Sequence, residues 1–377
     1  MALRVMSADS HMDLIYLPPD TFVSRVPARW RDRAPRVVER DGKKIWVSGD
    51  DSLGPYGVYG PGVTGGKRGR ILMQEGFASG QTRPSNPRER REDQARDGVE
   101  AEIIYGIIGI SRGLLIGNKG IGDPELLAVV YHAYNDYIAD FNRSIPGRFF
   151  GLGCLPNHDA NAAAEEFRYC AELGLPGAVL VPWTKAMPVW HEMWEPLWTA
   201  AEETGLVLSF HVFEGGGVTV GHEIKGVRHP AASGAWTVVA PLQLDEILSS
   251  VILSGVPERH PKLKLVLGES GIGWLPYILE RLDDTYEERL ADDLKLSLLP
   301  SEYFKRQIYA TFQKDFHGVQ AMARIAPDNV MWGSDYPHRD GTWPFSQKAI
   351  EAEFQGVDET IKRKMLWENV RRLYRIS

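Results

Sequence analysis

The sequence predicts an α/β protein, a (β/α)8 (TIM) barrel, on three observations. Eight short β-rich runs alternate with longer helical patterns, which is the mark of parallel strand–helix–strand units. The chain has 377 residues, and such barrels commonly run to about 250 residues and beyond as one domain. Acidic and imidazole side chains recur where the runs end, and in a barrel all C-terminal strand ends meet at one mouth. A doubly wound open sheet is the competing architecture, and the placement of those polar residues favours the barrel.

The strand expectations follow in order. They are 3–8 (LRVMSA), 101–105 (AEIIY), 149–155 (FFGLGCL), 178–181 (AVLV), 206–210 (LVLSF), 263–267 (LKLVL), 308–312 (IYATF) and 330–333 (VMWG). Between them lie stretches with apolar residues at three- and four-residue spacings. The stretch 123–141 opens with DPE, an N-cap Asp followed by Pro at the first helical position. Residues 159–173 and 190–204 each run into a glycine, Gly174 and Gly205, that suits a helix C-cap. Further helices are expected over 241–254, 274–289, 318–325 and 344–354. A last amphipathic helix, 358–374, should pack on the outside of the barrel. Residues 12–90 interrupt the repeat, and 50–80 is rich in Gly and poor in periodicity. We read 12–90 as an insertion within a single domain, 1–377, lying over the mouth as a lid or a dimer contact; a structureless excursion is the alternative.

Composition narrows the class. Hydrophobic residues make up 43% and charged residues 25%, the balance of a globular protein with a large core. The net charge of −7 argues against a nucleic-acid surface, which needs a concentrated excess of Lys and Arg. The basic stretch 83–96 (RPSNPRERREDQAR) is interrupted by acids and reads as a solvated helix start. Cys154 and Cys170 imply no disulfide framework and read as buried thiols. With no signal-type apolar stretch and no run of about 18 apolar residues, the expectation is a cytoplasmic protein without a membrane partner.

The chemistry concentrates at strand ends. Asp9 and His11 follow the first strand, where residues i and i+2 of an extended segment project to the same side. His211 ends the fifth strand and Asp335 the eighth. Two carboxylates and two imidazoles converging on one point suit a single divalent metal ion, Zn2+ first, with Mn2+ or Fe2+ as alternatives, because the set mixes nitrogen and oxygen donors. Taken singly, Asp9 reads equally as a loop carboxylate, His211 as a core histidine and Asp335 as a turn residue. Jointly they require coincidence at one end of the barrel.

Glu269 follows the sixth strand in GESGIGWLP, as a ligand, an acid/base group or a salt-bridge partner of Arg281. His338, three residues after Asp335 in SDYPHRDG, is a candidate to reach substrate or a carboxylate behind the ligands, against a plain loop histidine. Asp315 and His317 follow the seventh strand and are weaker candidates. His158 reads as a capping residue beside Asn157 and Asp159, and His222 and His229 as part of a rim after the fifth strand. Gly215 to Gly217 lack the context of a phosphate loop. Trp183, Trp190 and Trp236 suit an aromatic pocket or helix packing.

SADSHMD, the VLSFH strand, LVLGESGIGWLPYILERLD and VMWGSDYPH together resemble the amidohydrolase-2 (amidohydrolase-related) branch of the amidohydrolase superfamily. The likeness covers nearly the whole chain, down to the closing WENVRRLY. That branch includes aminocarboxymuconate semialdehyde decarboxylase and γ-resorcylate decarboxylase. The resemblance implies a metal-binding barrel, often dimeric, with ligands at Asp9, His11, His211 and Asp335. It also implies an enzyme acting on a small molecule, a non-oxidative decarboxylase of an aromatic or enolic acid, with Asp335, Glu269 and His338 as catalytic candidates. One departure stands out: those decarboxylases carry a histidine after the sixth strand, where this chain has Glu269. The alternative activity is hydrolysis of an amide, ester or lactone by metal-bound water.

Overall fold

In the computed structural model, the structure describes residues 3–57, 66–75, 82–111, 120–181, 188–212 and 230–377. In chain order the strands are β1 (Met6–His11), β2 (Arg36–Arg40), β3 (Lys43–Ser48), β4 (Asp51–Pro55), β5 (Ala101–Tyr105), β6 (Phe149–Gly151), β7 (Gly153–Cys154), β8 (Gly177–Leu180), β9 (Val207–His211), β10 (Lys264–Gly268), β11 (Ile308–Phe312) and β12 (Val330–Trp332).

The sequences β1-β5-β6 and β7-β8-β9-β10-β11-β12 are parallel throughout. The expected strand 149–155 is broken at Leu152, whose N–H still bonds Ile104 O, so β6 and β7 form one barrel position. The ring closes where Ser10 pairs in parallel with Tyr336 just beyond β12. Eight positions therefore make the barrel, as the alternation of runs predicts.

The first strand lies three residues later than expected. The run 3–8 looks like the strand because it is apolar, whereas S-A-D-S-H is polar. Within the barrel those polar residues are fully buried and hydrogen-bonded to Tyr336 O and to neighbouring hydroxyls, so tertiary pairing overrides propensity. The register of β1 on β5 shifts between Ser7 and Ser10, with one extra residue on β1. This bulge lets Ser7 and Ser10 share one side while Asp9 and His11 face the mouth. Strands β9 and β10 likewise run one residue further than expected, to His211 and Gly268.

Most helix expectations hold within a few residues. Asp123 caps the helix Pro124–Ser144 through Glu125 N and Leu126 N, and Asp159 caps Ala160–Glu172. The closing helix is three pieces, Glu359–Arg363, a π-helical turn Lys364–Glu368 and Asn369–Leu373, packed on β12 and β1. No helix among the described residues is long and apolar enough to cross a membrane. Both cysteines are buried and unpaired, and burial pushes the thiols up.

Between β1 and β5 the described residues carry the antiparallel sheet β2-β3-β4 and the helices Gly66–Gln74 and Pro87–Asp97. Phe22, Trp46 and Leu53 from this region join the same core as the barrel. The basic stretch 83–96 is not a solvated helix start. Asn86 and Gly98 do cap the helix Pro87–Asp97, but Arg90, Asp93, Gln94 and Asp97 are buried. Arg90 pairs with Glu102 of β5 and donates to His11 O and Pro84 O. Asp93 accepts two hydrogen bonds from Arg83 and one from Tyr336 Oη. The composition of the stretch could not reveal this, because Arg90 finds its partners Glu102 and His11 O on other elements and Asp93 is bound from Tyr336 as well as from Arg83.

Removing one partner of a buried pair leaves the other uncompensated, so Arg90→Ala should destabilise the fold by about 3–5 kcal/mol. Chemical denaturation checks this, and a loss below ~1 kcal/mol would contradict the buried pairing.

Candidate metal centre

Asp9 and His11 lie in β1, His211 ends β9, and Asp335 follows β12 by three residues. All four are buried. His11 Nε2 stands 3.4 Å from Asp9 Oδ1 and 3.3 Å from Asp335 Oδ1. His211 Nε2 is 3.6 Å from the same Asp9 oxygen and 3.6 Å from Glu269 Oε2. Donor atoms of Asp9, His11 and His211 lie within 4.8 Å of one another, as do those of His11, Glu269, Asp335 and His338. His11 belongs to both groups.

These contacts are close but not aligned. Asp9 Oδ1, both nitrogens of His11, His211 Nε2 and both oxygens of Asp335 have no hydrogen-bond partner among the described residues. Burying so many acceptors without partners is costly. The two groups meet at His11, and a divalent cation held among them would satisfy such donors; the mixed nitrogen and oxygen set suits a transition metal.

The surroundings aim these atoms. Val212 O accepts from His211 Nδ1 at 2.7 Å, so Nδ1 carries a proton and Nε2 is turned toward the centre. Asp9 Oδ2 accepts from Glu269 N at 2.7 Å and Thr311 Oγ1 at 2.8 Å, which turns Oδ1 toward the centre. Tyr105, from the end of β5, packs its ring against His211 at 4.5 Å and His11 at 5.9 Å. Close approach needs glycine at two strand ends. A Cβ at Gly333 would meet Asp9 Cβ at 2.5 Å, and one at Gly268 would meet His211 Cδ2 at 2.7 Å. Glu269 and Asp335 both hold left-handed backbone, φ 53° and 54°, a strain that non-glycine residues keep mainly at functional sites.

Charge coupling is strong. Burial alone would raise Asp9, but the imidazoles of His11 and His211 hold it far below the usual carboxylate range. Burial and the neighbouring His338 lower His11, yet Asp335 and Asp9 outweigh them and bring it up to about 9. Burial raises Asp335, and His338 and His11 pull it down below its ordinary value. Burial and then the charge of Asp335 push Glu269 well above the carboxylate range. Burial opposes protonation of His338, and Asp335 and Asp13 raise it well above an ordinary histidine.

The structure thus brings together Asp9, His11, His211, Asp335, Glu269 and His338. It does not bring in Asp315, which caps the helix Phe316–Ile325 and accepts from Ile272 N and Gly273 N, steadying the loop after Glu269. His317 and His158 are exposed. Asp159 caps the next helix, and Asn157 instead donates to Val181 O. Trp190 is exposed rather than pocket-lining. His222, His229, Gly215 to Gly217, Trp183 and the side chain of Trp236 lie outside the described residues. Sequence reasoning missed Thr311, Tyr105, Arg90 and Asp13. Thr311, a hydroxyl in an otherwise apolar buried strand, is the one that patterning could have flagged.

The sequence profile of the amidohydrolase family matches residues 108–376. The chain is an enzyme of the amidohydrolase family. It is 25% identical over 268 residues to γ-resorcylate decarboxylase of Polaromonas sp., covering 64% of this chain and 75% of that one. Among solved structures, an amidohydrolase from Mycobacterium avium subsp. paratuberculosis has a TM-score of 0.77 at 20% identity, covering 99% of this chain and 98% of that one. A dihydroxybenzoic acid decarboxylase from Polaromonas sp., solved with manganese and the inhibitor 2-nitroresorcinol, has a TM-score of 0.62 at 16% identity, covering 99% and 97%. These structural likenesses place this amidohydrolase-family chain in the same fold.

His211→Ala is expected to abolish metal retention while preserving the fold. Elemental analysis of the purified variant checks this, and full metal content would rule His211 out as a ligand.

Proposed function

We propose that the chain is a metal-dependent, non-oxidative decarboxylase of a small aromatic or enolic carboxylic acid. One divalent ion would be held by Asp9, His11, His211 and Asp335. The observation that carries this reading is the convergence of their buried, unpartnered donor atoms at one barrel mouth, in a chain similar to enzymes named as decarboxylases. Zn2+ is the first choice for a mixed donor set, and Mn2+, the ion in one solved relative, or Fe2+ are the alternatives.

When bound, the ion supplies a fixed positive charge that binds an anionic substrate and stabilises negative charge developing on it. The residues do the rest. Thr311 Oγ1 and Glu269 N pin one oxygen of Asp9, and the carbonyl of Val212 fixes the ring of His211. Decarboxylation breaks the bond to the carboxylate carbon; the electron pair stays on the substrate carbon and takes a proton as CO2 leaves. Glu269 or Asp335 delivers that proton. The side chain of Glu269 is 23% exposed, so it borders the open mouth, and its raised pKa is the direction a proton donor needs. His338 touches the substrate or holds Asp335 from behind.

One observation favours a second reading, hydrolysis of an amide, ester or lactone. Glu269 stands where the decarboxylases of the resemblance carry histidine, and a carboxylate there suits an acid/base role toward water. Asp335 would then take a proton from the attacking water and pass it to the leaving group.

The finer reading is a single domain with 12–90 as an insertion that shapes the substrate pocket, in a cytoplasmic homodimer. The hydrogen bond from Arg90 to His11 O supports the first point, since it ties the insertion to the mouth. The two unpaired cysteines suit a reducing compartment, and the family resemblance supports the dimer.

The metal-loaded enzyme should release CO2 from hydroxybenzoic or enolic acids. Turnover of lactones or amides without CO2 would decide for the second reading. Glu269→Gln should lower kcat about 100-fold or more, and near-native steady-state kinetics would leave Glu269 a structural residue.

A further inference from the structure

Asp13 occupies the N-cap position of a short 3-10 turn, Leu14–Tyr16, yet its side chain makes no cap hydrogen bond there. Its Oδ2 instead meets His338 Nε2 at 2.8 Å. The other ring nitrogen, Nδ1, lies 2.8 Å from Asp335 Oδ1. Between these two contacts the imidazole lies nearly flat on His11, with ring centroids 3.9 Å apart and an interplanar angle of 28°. A carboxylate only accepts, so the Nε2 proton belongs to the bond with Asp13.

We propose that Asp13 is a positioning residue that acts through His338 on Asp335, and so on the grip of the metal centre. The proposal rests on the metal-centre reading above. The two nitrogens of an imidazole lie on different edges of a rigid ring. Any rotation that breaks the bond to Asp13 also swings Nδ1 away from Asp335. The contact to Asp335 is close but not an aligned hydrogen bond, since neither oxygen of Asp335 has a hydrogen-bond partner among the described residues. The bond to Asp13 is an aligned one and so contributes to the ring's orientation.

Asp335 needs such support. Its backbone is in the left-handed region, φ 54°, so its placement depends on the groups around it rather than on local preference. The side chains of Asp13 and His338 are 12% and 23% exposed, so the pair is shielded far better than an ordinary surface ion pair. Asp13 lies beyond the end of β1 and His338 beyond β12. Their bond joins the segment that follows His11 at the end of β1 to the segment that carries Asp335 beyond β12.

The test is a double-mutant cycle read by metal affinity. Metal-stripped wild type, Asp13→Ala, His338→Ala and the double variant are titrated with Mn2+ against a chelator of known strength. Partners that orient metal ligands are typically worth 10–100-fold in affinity, so each single variant should bind Mn2+ at least ~10-fold more weakly. Asp13 Oδ1 also stands 4.0 Å from His11 Nδ1, so the double variant should lose clearly less than the product of the two single losses, because the route through His338 is already gone. Asp13→Asn keeps an acceptor oxygen in place and should retain most of the affinity. Unchanged affinity in Asp13→Ala, or losses that multiply in the double variant, would overturn the proposal. Should Asp13→Ala not fold, Asp13→Ser, whose hydroxyl is too short to reach His338, takes its place in the cycle. A wild-type protein that binds no Mn2+, Zn2+ or Fe2+ overturns the metal-centre reading itself, a failure visible before any variant is compared.

Discussion

Two backbone hydrogen bonds, from Asp335 N to Asp9 O and from His11 N to Tyr336 O, join the first barrel strand to the chain beyond the last. Three of the four candidate ligands sit on this seam. Behind it Ser7, Ser10 and Ser334 bring their hydroxyls within 3.0–3.2 Å of one another, and Ser7 also binds Asp9 O and Ser334 N. A buried hydroxyl cluster satisfied by itself and by backbone is rigid, because displacing one member leaves the others unpaired. Arg90 adds a tie from outside through His11 O. The geometry of the site is thus a by-product of how the barrel shuts.

The polar centre is held at a cost met by the rest of the fold. Two carboxylates and two imidazoles sit out of water with unpartnered atoms, and two residues keep left-handed backbone beside them. Around them lies an apolar core drawn from every barrel strand and from the insertion. The glycines at 268 and 333 spare His211 and Asp9 a collision at the closest approach of strand to strand. Local strain and global packing divide the labour here, as expected where a functional site breaks the rules that govern the remainder.

Much of this was legible in the chain. Alternating β-rich and helical runs revealed the barrel because each unit carries its own periodicity. Asp9, His11, His211 and Asp335 could be read because each falls at a strand end, and barrel topology carries strand ends to one place. The misses have a common cause. The polar residues of β1 hid the strand itself, since propensity cannot foresee hydrogen bonds to Tyr336 and Tyr105 across the barrel. Arg90 looked like one basic residue among several because Glu102 and His11 O, its partners, are supplied by other elements. Thr311 and Asp13 carry no motif; only the folded ring shows that one grips Asp9 and the other faces His338. Asp315 shows the converse, a carboxylate at a strand end whose oxygens are consumed by loop and helix amides.

The seam has a consequence for how the protein is made. Asp9 and His11 precede Asp335 by more than three hundred residues. A growing polypeptide holds only part of the candidate ligand set until Asp335 has been translated. Capture of an ion at the candidate site would follow closure of the barrel and would lock its first and last strands together, because binding to the closed fold alone pulls the folding equilibrium toward it. A chain whose barrel has not closed would lack the full grip, so cation loading would report that the ring has shut.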